Sequence, residues 1–400
     1  MEPRSSPPGA NIVTGKRLFW HKFKADGGLE RYKASWVVRG FSQRQGVHFD
    51  KTFSPVVKAS TIRAVPTVAA SHAWPIHQMD MNNAFLHGHL IERVYCQQPA
   101  GFIDAARPTT PSSSIDCSTA SSRRHDLGAL HYFLGTAVTR NVDGFFLSQR
   151  GYMVEAVSTP VDTHSKLSAT DGAPVSDASE YHSMVGALQY LTMTCPDIAY
   201  AMHQCCLVMH DPHAAHLALV KHILRYLRST TDLGLHLHCS SNLDLLAYSD
   251  ADWVGCPDTL RSTSDYVVFL DDALVSWFRK RQATVSRSST EAEYRAVANA
   301  VAECCWLRQL LGELRVPLPK ATVVFYDNIS LVYMAGNPVH HRRTKHINLD
   351  IHVVREKVAL GEFRILHVPT KQQFADVLTK GLPSPAFHDF RSSLCCWGTQ

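Results

Sequence analysis

LDLLAYSD (residues 243–250), TSDYVVFL (263–270) and ALVSWF (273–278) decide the fold of this chain. Each is a short run rich in Leu, Val, Tyr and Phe bounded by polar residues, the composition of a strand. Only Asp271-Asp272 separates the second run from the third, so a tight turn joins them. From Glu291 to Leu314, apolar Tyr294, Val297, Val301, Cys305 and Leu311 recur near helical spacing and predict a long amphipathic helix. TVVFYD (322–327) reads as a short buried strand, and ISLVYMAG (329–336) as a short helix ending at Gly336. Ile347, Ile351, Val354 and Val358 mark another helix, stopped by Gly361. FRILHV (363–368) is a fifth strand and QQFADVLTK (372–380) a closing helix. The order β-β-β-α-β-α-α-β-α predicts one mixed α/β sheet of five strands with helices on both faces.

Four acids stand where these elements begin or end: Asp250, Glu293, Asp327 and Asp376. Strand ends and helix starts on one side of an α/β sheet converge on a crevice. Unpaired carboxylates gathered there call for cations, and hard divalent ions take oxygen ligands. Two Mg²⁺ or Mn²⁺ ions about 4 Å apart suit in-line displacement at a phosphodiester. Each acid also has a plain structural reading. Asp250 and Asp327 fit turns after strands, Glu293 follows Thr290 by three as in a capping box, and Asp376 fits a solvated helix surface.

Outward from this region the chain is that of a globular protein of two or three domains, with 45% hydrophobic and 19% charged residues among 400. No apolar run reaches the roughly 18 to 20 residues of a membrane span, and the first residues (MEPRSSPPGA) lack a secretory pattern, so the expected location is cytoplasmic or nuclear. Eleven cysteines with no C-x-x-C spacing predict neither a disulfide framework nor a zinc site. His340, His341, His346 and His352 lack a companion Cys or an i, i+4 pair between His346 and His352, so a basic loop, HHRRTKH, is the better reading than zinc.

The net charge of +5 is unevenly spread. Residues 16–63 hold eleven Lys or Arg against three acids, a local +8, interleaved with Phe19, Trp20, Tyr32 and Trp36. Cations for phosphates and rings for stacking fit a nucleic-acid surface, and a solvated basic face is the alternative. The runs RLFWHKF (17–23) and YKASWVVRGF (32–41), with Asp26-Gly27-Gly28 between them, predict a β-hairpin. Residues 104–125 are nearly all Ser, Thr, Pro, Ala and charge, a linker or a deletion scar. Helices are expected over 181–191 and from Pro196 to Thr230. The segments are thus a disordered tail (1–15), 16–103, the linker (104–125), 126–240, 241–385 and a second tail (386–400).

Residues 245–383 resemble the RNase H domain of copia-like retrotransposon polyproteins, through AYSDADWVGCPDTLRST, SWFRKRQATVSRSSTEAEYRAVANAVAE, FYDNISLVYMAGNPVHHRRTKHINLDIHVVREKVALGE and HVPTKQQFADVLTKGLP. The resemblance implies that the family's metal-binding acids fall on Asp250, Glu293, Asp327 and Asp376, favours Glu293 over Glu291, and places Asp252 on a less secure family position. It assigns His346 to proton transfer and Arg342, Arg343 and Lys345 to nucleic-acid contact. RYKASWVVRGFSQRQGVHFDKTFSPVVKASTIR and HQMDMNNAFLHGHLIERVYCQQPAGF resemble the fingers and early palm of the same polyprotein's reverse transcriptase. There Asp80 matches the first catalytic aspartate, and Lys33, Arg39, Lys58 and Arg63 are the expected phosphate contacts. The Asp-Asp hairpin that polymerisation needs is missing. The sole adjacent Asp pair, Asp271-Asp272, lies between two RNase H strands, and His89 replaces a usual acid. Residues 126–240 resemble the thumb and connection.

The implied architecture is α/β and α+β: a partial fingers and palm, a helical thumb and connection, then the RNase H-like sheet. The implied function is hydrolysis of the RNA strand of an RNA/DNA hybrid by two metals, with DNA polymerase activity lost through an internal deletion. The alternative is a non-enzymatic relic that binds nucleic acid non-specifically or is not expressed.

Overall fold

The computed structural model describes residues 2–3, 12–23, 29–38, 57–81, 95–96, 101, 112–113, 124–133, 136–148, 159–161, 167–240, 243–328, 348–394 and 396–398. The chain divides into two compact units, one of residues 1–56 and 79–128, the other of residues 57–78 and 129–400.

In the smaller unit, strands β1 (Gly15–Phe23) and β2 (Leu29–Val38) pair antiparallel from Gly15↔Val38 to Phe23↔Leu29. This is the hairpin expected from the two aromatic-rich runs; its turn lies outside the described residues. Phe19 and Tyr32 remain largely in solvent, so the ribbon buries little, and two strands alone are marginal.

The larger unit begins with helix α1 (Ala59–Ser71), followed by strand β3 (His77–Met81), which runs out of the unit. A first antiparallel sheet contains Tyr132–Phe133, β4 (Thr136–Asn141), β5 (Gly144–Ser148), β6 (Leu233–His238) and Cys396–Gly398. Helices α2 (Ala178–Leu191), α3 (Ala199–Leu207) and α4 (Ala214–Ser229) intervene in the sequence. Asp177 caps α2 by accepting from the backbone N–H groups of Ser179 and Glu180.

The second sheet contains β7 (Leu245–Asp252), β8 (Thr263–Leu270), β9 (Ala273–Arg281), β10 (Thr322–Tyr326) and β11 (Phe363–His367), in spatial order β9-β8-β7-β10-β11. β7, β8 and β9 run antiparallel, while β10 is parallel to both β7 and β11. Asp271 and Asp272 form the β8–β9 turn, Asp271 taking the left-handed φ of +54°. The adjacent Asp pair is therefore hairpin chemistry. Helix α5 (Ser289–Glu313) packs on one face, with α6 (Asn348–Ala359) beside it, and Gly361 at φ +72° ends α6. The short helix expected over 329–336 lies outside the described residues.

Both sheet faces are covered, but not by neighbouring sequence alone. On the α5 face, Ala247, Val268, Val275, Val301, Val324 and Phe363 share a core with Ala64 and Val68 of α1. On the other face, Val267, Phe269 and Leu274 share a core with Tyr181, Val185, Ile198, Met202, Ile223 and Tyr226. The boundary expected at 240/241 therefore falls within one core. Residues 57–78, expected with the N-terminal region, belong to this unit as well. The expected tail at 386–400 is also corrected: helix α8 (Ser384–Ser393, after α7, Asp376–Thr379) buries Phe387 and Phe390, an i, i+3 pair on one helical face. Among the described residues no helix is long and apolar enough to cross a membrane.

Candidate active site

The four carboxylates come from four elements at one end of the second sheet. Parallel pairing of β7 with β10 ends at Tyr248↔Phe325, and Asp250 and Asp327 each stand two residues beyond that last pair, Asp327 just past the end of β10. Glu293 projects from the first turns of α5, and Asp376 opens α7 and is buried. Asp252, two residues after Asp250 in β7, is half-buried and folds its carboxylate against Gly255, where a Cβ would lie 2.2 Å from Oδ2.

The capping reading of Glu293 is corrected. The N-cap of α5 is Ser288, whose Oγ accepts from the backbone N–H of Glu291 at 3.2 Å. Glu291 reaches back to accept from the backbone N–H of Arg287 at 2.9 Å and pairs with Arg295 at 2.8 Å. Terminal duty thus falls to Glu291, three residues after the cap, which leaves Glu293 free of it.

The cluster's electrostatics follow from crowding. Burial, then the charges of Asp327 and Asp250, push the Glu293 carboxyl up to about 7, against the opposing hydrogen bond from Asn328 Nδ2 at 2.6 Å. Burial and Asp250 also raise Asp327, with Lys380 and His367 partly opposing. Asp376 is raised by burial and by Asp250, although Lys380 Nζ donates to its Oδ2 at 2.7 Å. Burial alone would lower the Lys380 ammonium, but the Asp376 hydrogen bond and the charges of Asp376, Asp250 and Asp327 raise it. Lys380 is thus the internal counter-charge of the cluster.

A divalent ion fits these residues on two grounds. All donors are hard oxygens, and Asp376 Oδ1 is buried without a hydrogen-bond partner. Among the described residues no three His, Cys, Asp or Glu side chains are already drawn around one point as a closed metal shell. Lys380 and Asn328 hold two of the carboxylates instead.

Three groups here escaped the sequence reading. Lys380 is four residues after Asp376 on one helical face, a pairing that charge spacing would have signalled. Asn328 adjoins Asp327. His367 ends β11 opposite Tyr326, exposed, with its charge acting on Asp327. His346, Arg342, Arg343, Lys345 and Arg39 lie outside the described residues. Lys33 lies in β2 and Asp80 in β3.

Arg63 is corrected outright. It is 4% exposed, donates from Nε to Val275 O and from Nη1 to Met193 O at 2.9 Å each, and stacks 3.6 Å over the Trp277 ring. A guanidinium so enclosed has no face for a phosphate. Lys58 is half-exposed, but its Nζ lies 4.1 Å over Trp306 and 3.4 Å from Glu303.

Comparison with known proteins gives the family. A family model described as reverse transcriptase (RNA-dependent DNA polymerase) matches residues 5–110. Two retrovirus-related Pol polyproteins of Arabidopsis thaliana, from transposons RE1 and RE2, are 37% and 38% identical over 97% and 96% of this chain. The chain belongs to the copia-like retrotransposon Pol polyproteins. It spans 32% of the length of each of these two relatives. The RE1 alignment has 468 positions but takes in only 97% of this chain's 400 residues, so about 80 positions have no counterpart in this Pol chain. The N-terminal RNase H domain of a Mycobacterium tuberculosis protein is similar over 38% of this chain and 99% of its own, at 17% identity and a TM-score of 0.26.

Proposed function

We propose that the larger unit of this Pol chain is a divalent-metal-dependent endonuclease that hydrolyses the RNA strand of an RNA/DNA hybrid, and that the chain does not extend primers. The observation that carries the first part is the convergence of Asp250, Glu293, Asp327 and Asp376, with an unpartnered buried oxygen on Asp376. Bound divalent ions, held by these four side chains, would polarise the phosphate and lower the pKa of the attacking water. Water gives up a proton to bulk solvent and adds to phosphorus as the bond to the 3′ oxygen breaks, and the departing 3′ oxygen takes up a proton, leaving a 5′-phosphate and a 3′-hydroxyl. His346 is the candidate for assisting proton transfer to the departing oxygen, and exposed His367, at the end of β11, is a second. Lys380 holds the carboxylates together until a cation or the substrate displaces it.

Loss of polymerisation is supported by three observations. The reverse-transcriptase match stops at residue 110, about 80 positions of the relatives lack a counterpart, and the one adjacent Asp pair is a turn between β8 and β9. Asp80 without that partner pair leaves an incomplete metal site. The expected nucleic-acid contacts at Lys33, Arg39, Arg342, Arg343 and Lys345 belong to this proposal as well.

The test is cleavage of a labelled hybrid by the full chain in Mg²⁺ or Mn²⁺, with DNA duplex as control. Hybrid cleavage lost in Asp250→Asn, together with no template-dependent incorporation, is the expected result. The second reading, a non-enzymatic relic, draws on the occupation of Asp376 by Lys380 and of Glu293 by Asn328. It predicts binding without cleavage in either metal.

A further inference from the structure

Trp253 directly follows Asp252 at the end of β7, and it is 48% exposed. A large ring left in water usually reflects chance, but this one is held in place. Its indole Nε1 donates to Ser286 O at 3.2 Å, and Ser286 lies two residues before the Ser288 cap of α5. The ring therefore bridges the ends of the two elements that supply Asp250 and Glu293. At about 3.3 Å per residue, Trp253 stands about 10 Å along the strand from Asp250, roughly three base steps of a nucleic-acid strand.

The loop that presents the ring is built at some expense. Val254, a β-branched residue, takes φ +55°, and its N–H is held by Ser262 Oγ at 3.2 Å. Gly255 makes room for the Asp252 carboxylate. Two exposed arginines belong to the same loops: Arg287 follows Ser286 in sequence, and Arg261 closes the Trp253 loop by accepting at its carbonyl from Cys256 N–H at 3.2 Å. Exposed Val285 extends the apolar surface. A fixed, exposed aromatic face on a loop that also carries exposed arginines, close in sequence to the Asp250 carboxylate, suits a nucleotide better than a protein helix.

We propose that Trp253 is a substrate-contact residue, its ring packing against a base or sugar of the nucleic-acid strand held at the carboxylate cluster, with Arg261 and Arg287 on the flanking phosphates. This deepens the proposed function and rests on it for the identity of the strand.

The test uses the full chain with a fluorescently labelled RNA/DNA hybrid in Ca²⁺, read by anisotropy, and hybrid cleavage in Mg²⁺. Trp253→Ala should weaken binding about tenfold and raise KM with kcat within about threefold, and Trp253→Phe should recover most of the loss. Arg261→Gln and Arg287→Gln should reduce the salt dependence of binding. Independently of any variant, photo-crosslinking of the wild-type chain to a hybrid carrying 5-iodouracil should yield adducts at Trp253 on peptide mapping. Affinity unchanged in Trp253→Ala with intact melting, or adducts only elsewhere, overturns the assignment. Trp253-dependent binding without cleavage in either metal would sink the nuclease reading and leave the contact standing. Cleavage that depends on Asp250 but not on Trp253 would do the reverse.

Discussion

Glu293 and Glu303 sit on the same helix, about 15 Å apart along its axis, and live in opposite circumstances. Glu303 is answered on every side: its Oε1 accepts from Ser60 Oγ at 3.0 Å and Ser276 Oγ at 2.9 Å, and Lys58 Nζ lies 3.4 Å from Oε2. Glu293 has Asn328 on one oxygen and two further carboxylates for company. The first arrangement joins α1, β9 and α5 into one body. The second keeps carboxylates together against their own repulsion, which a protein tolerates where a cation is to bind. Satisfied and frustrated charge thus separate the two glutamates within a single helix.

Truncation breaks the comparison most severely. A fragment of residues 240–385 keeps all four cluster acids but removes Lys58 and Ser60 from Glu303. It also strips α2, α3 and α4 from Val267, Phe269 and Leu274. Exposed apolar sheet and an orphaned carboxylate predict a fragment without a cooperative melting transition, whereas the full chain should show one by calorimetry. A sharp transition in the fragment would mean that the second core is dispensable.

The next largest effect separates the two glutamates by rate. Glu293→Gln should lower hybrid cleavage on the order of a thousandfold, about 4 kcal/mol of transition-state stabilisation. Glu303→Gln should change cleavage less than about threefold at a temperature where both variants are folded. Equal losses would show that Glu303 acts in the site, or that Glu293 does not.

Arg63→Ala probes the architectural side alone. It leaves the carbonyls of Val275 and Met193 without donors, empties the space over Trp277 and removes a cation near Glu303. A loss of about 3 kcal/mol in denaturant unfolding is expected, with affinity for nucleic acid unchanged once folded. Reduced affinity in a folded Arg63→Ala would reinstate it as a phosphate contact.

Much of this was legible in the chain, for local reasons. The β8–β9 turn at Asp271-Asp272 and the acids at strand ends follow from short-range pattern, so their elements could be named directly. Which residue caps α5 could not. Ser288, Ser289 and Thr290 are all competent, and only the geometry of Glu291 with Arg287 selects Ser288. Arg63 misled because counting charge does not reveal a ring above it. The second core was invisible for a deeper reason. Apolar residues in β8 announce that both faces are buried, but not that α2 to α4, some 35 to 90 residues away in sequence, do the burying.

The smallest expected effect concerns pH. Glu293 is raised from 4.5 to about 7 in the folded chain, so its carboxyl holds a proton that the unfolded chain has already released. Between pH 4.5 and 7 the folded state is progressively penalised for that group, and above 7 the penalty is complete. At about 1.36 kcal/mol per unit the nominal size is about 3 kcal/mol, and partial solvent contact reduces it to roughly 1–2 kcal/mol. Glu293→Gln, which carries no charge, should therefore melt a few degrees higher than wild type at pH 8 without metal, and at the same temperature at pH 4.5. Mg²⁺ should narrow the gap at pH 8 by stabilising the wild-type carboxylates, and do so less at pH 6, where the ion must displace a proton. A Glu293→Gln variant that melts lower than wild type at pH 8 would place Glu293 with Glu303, as a structural acid, and erase the contrast between them.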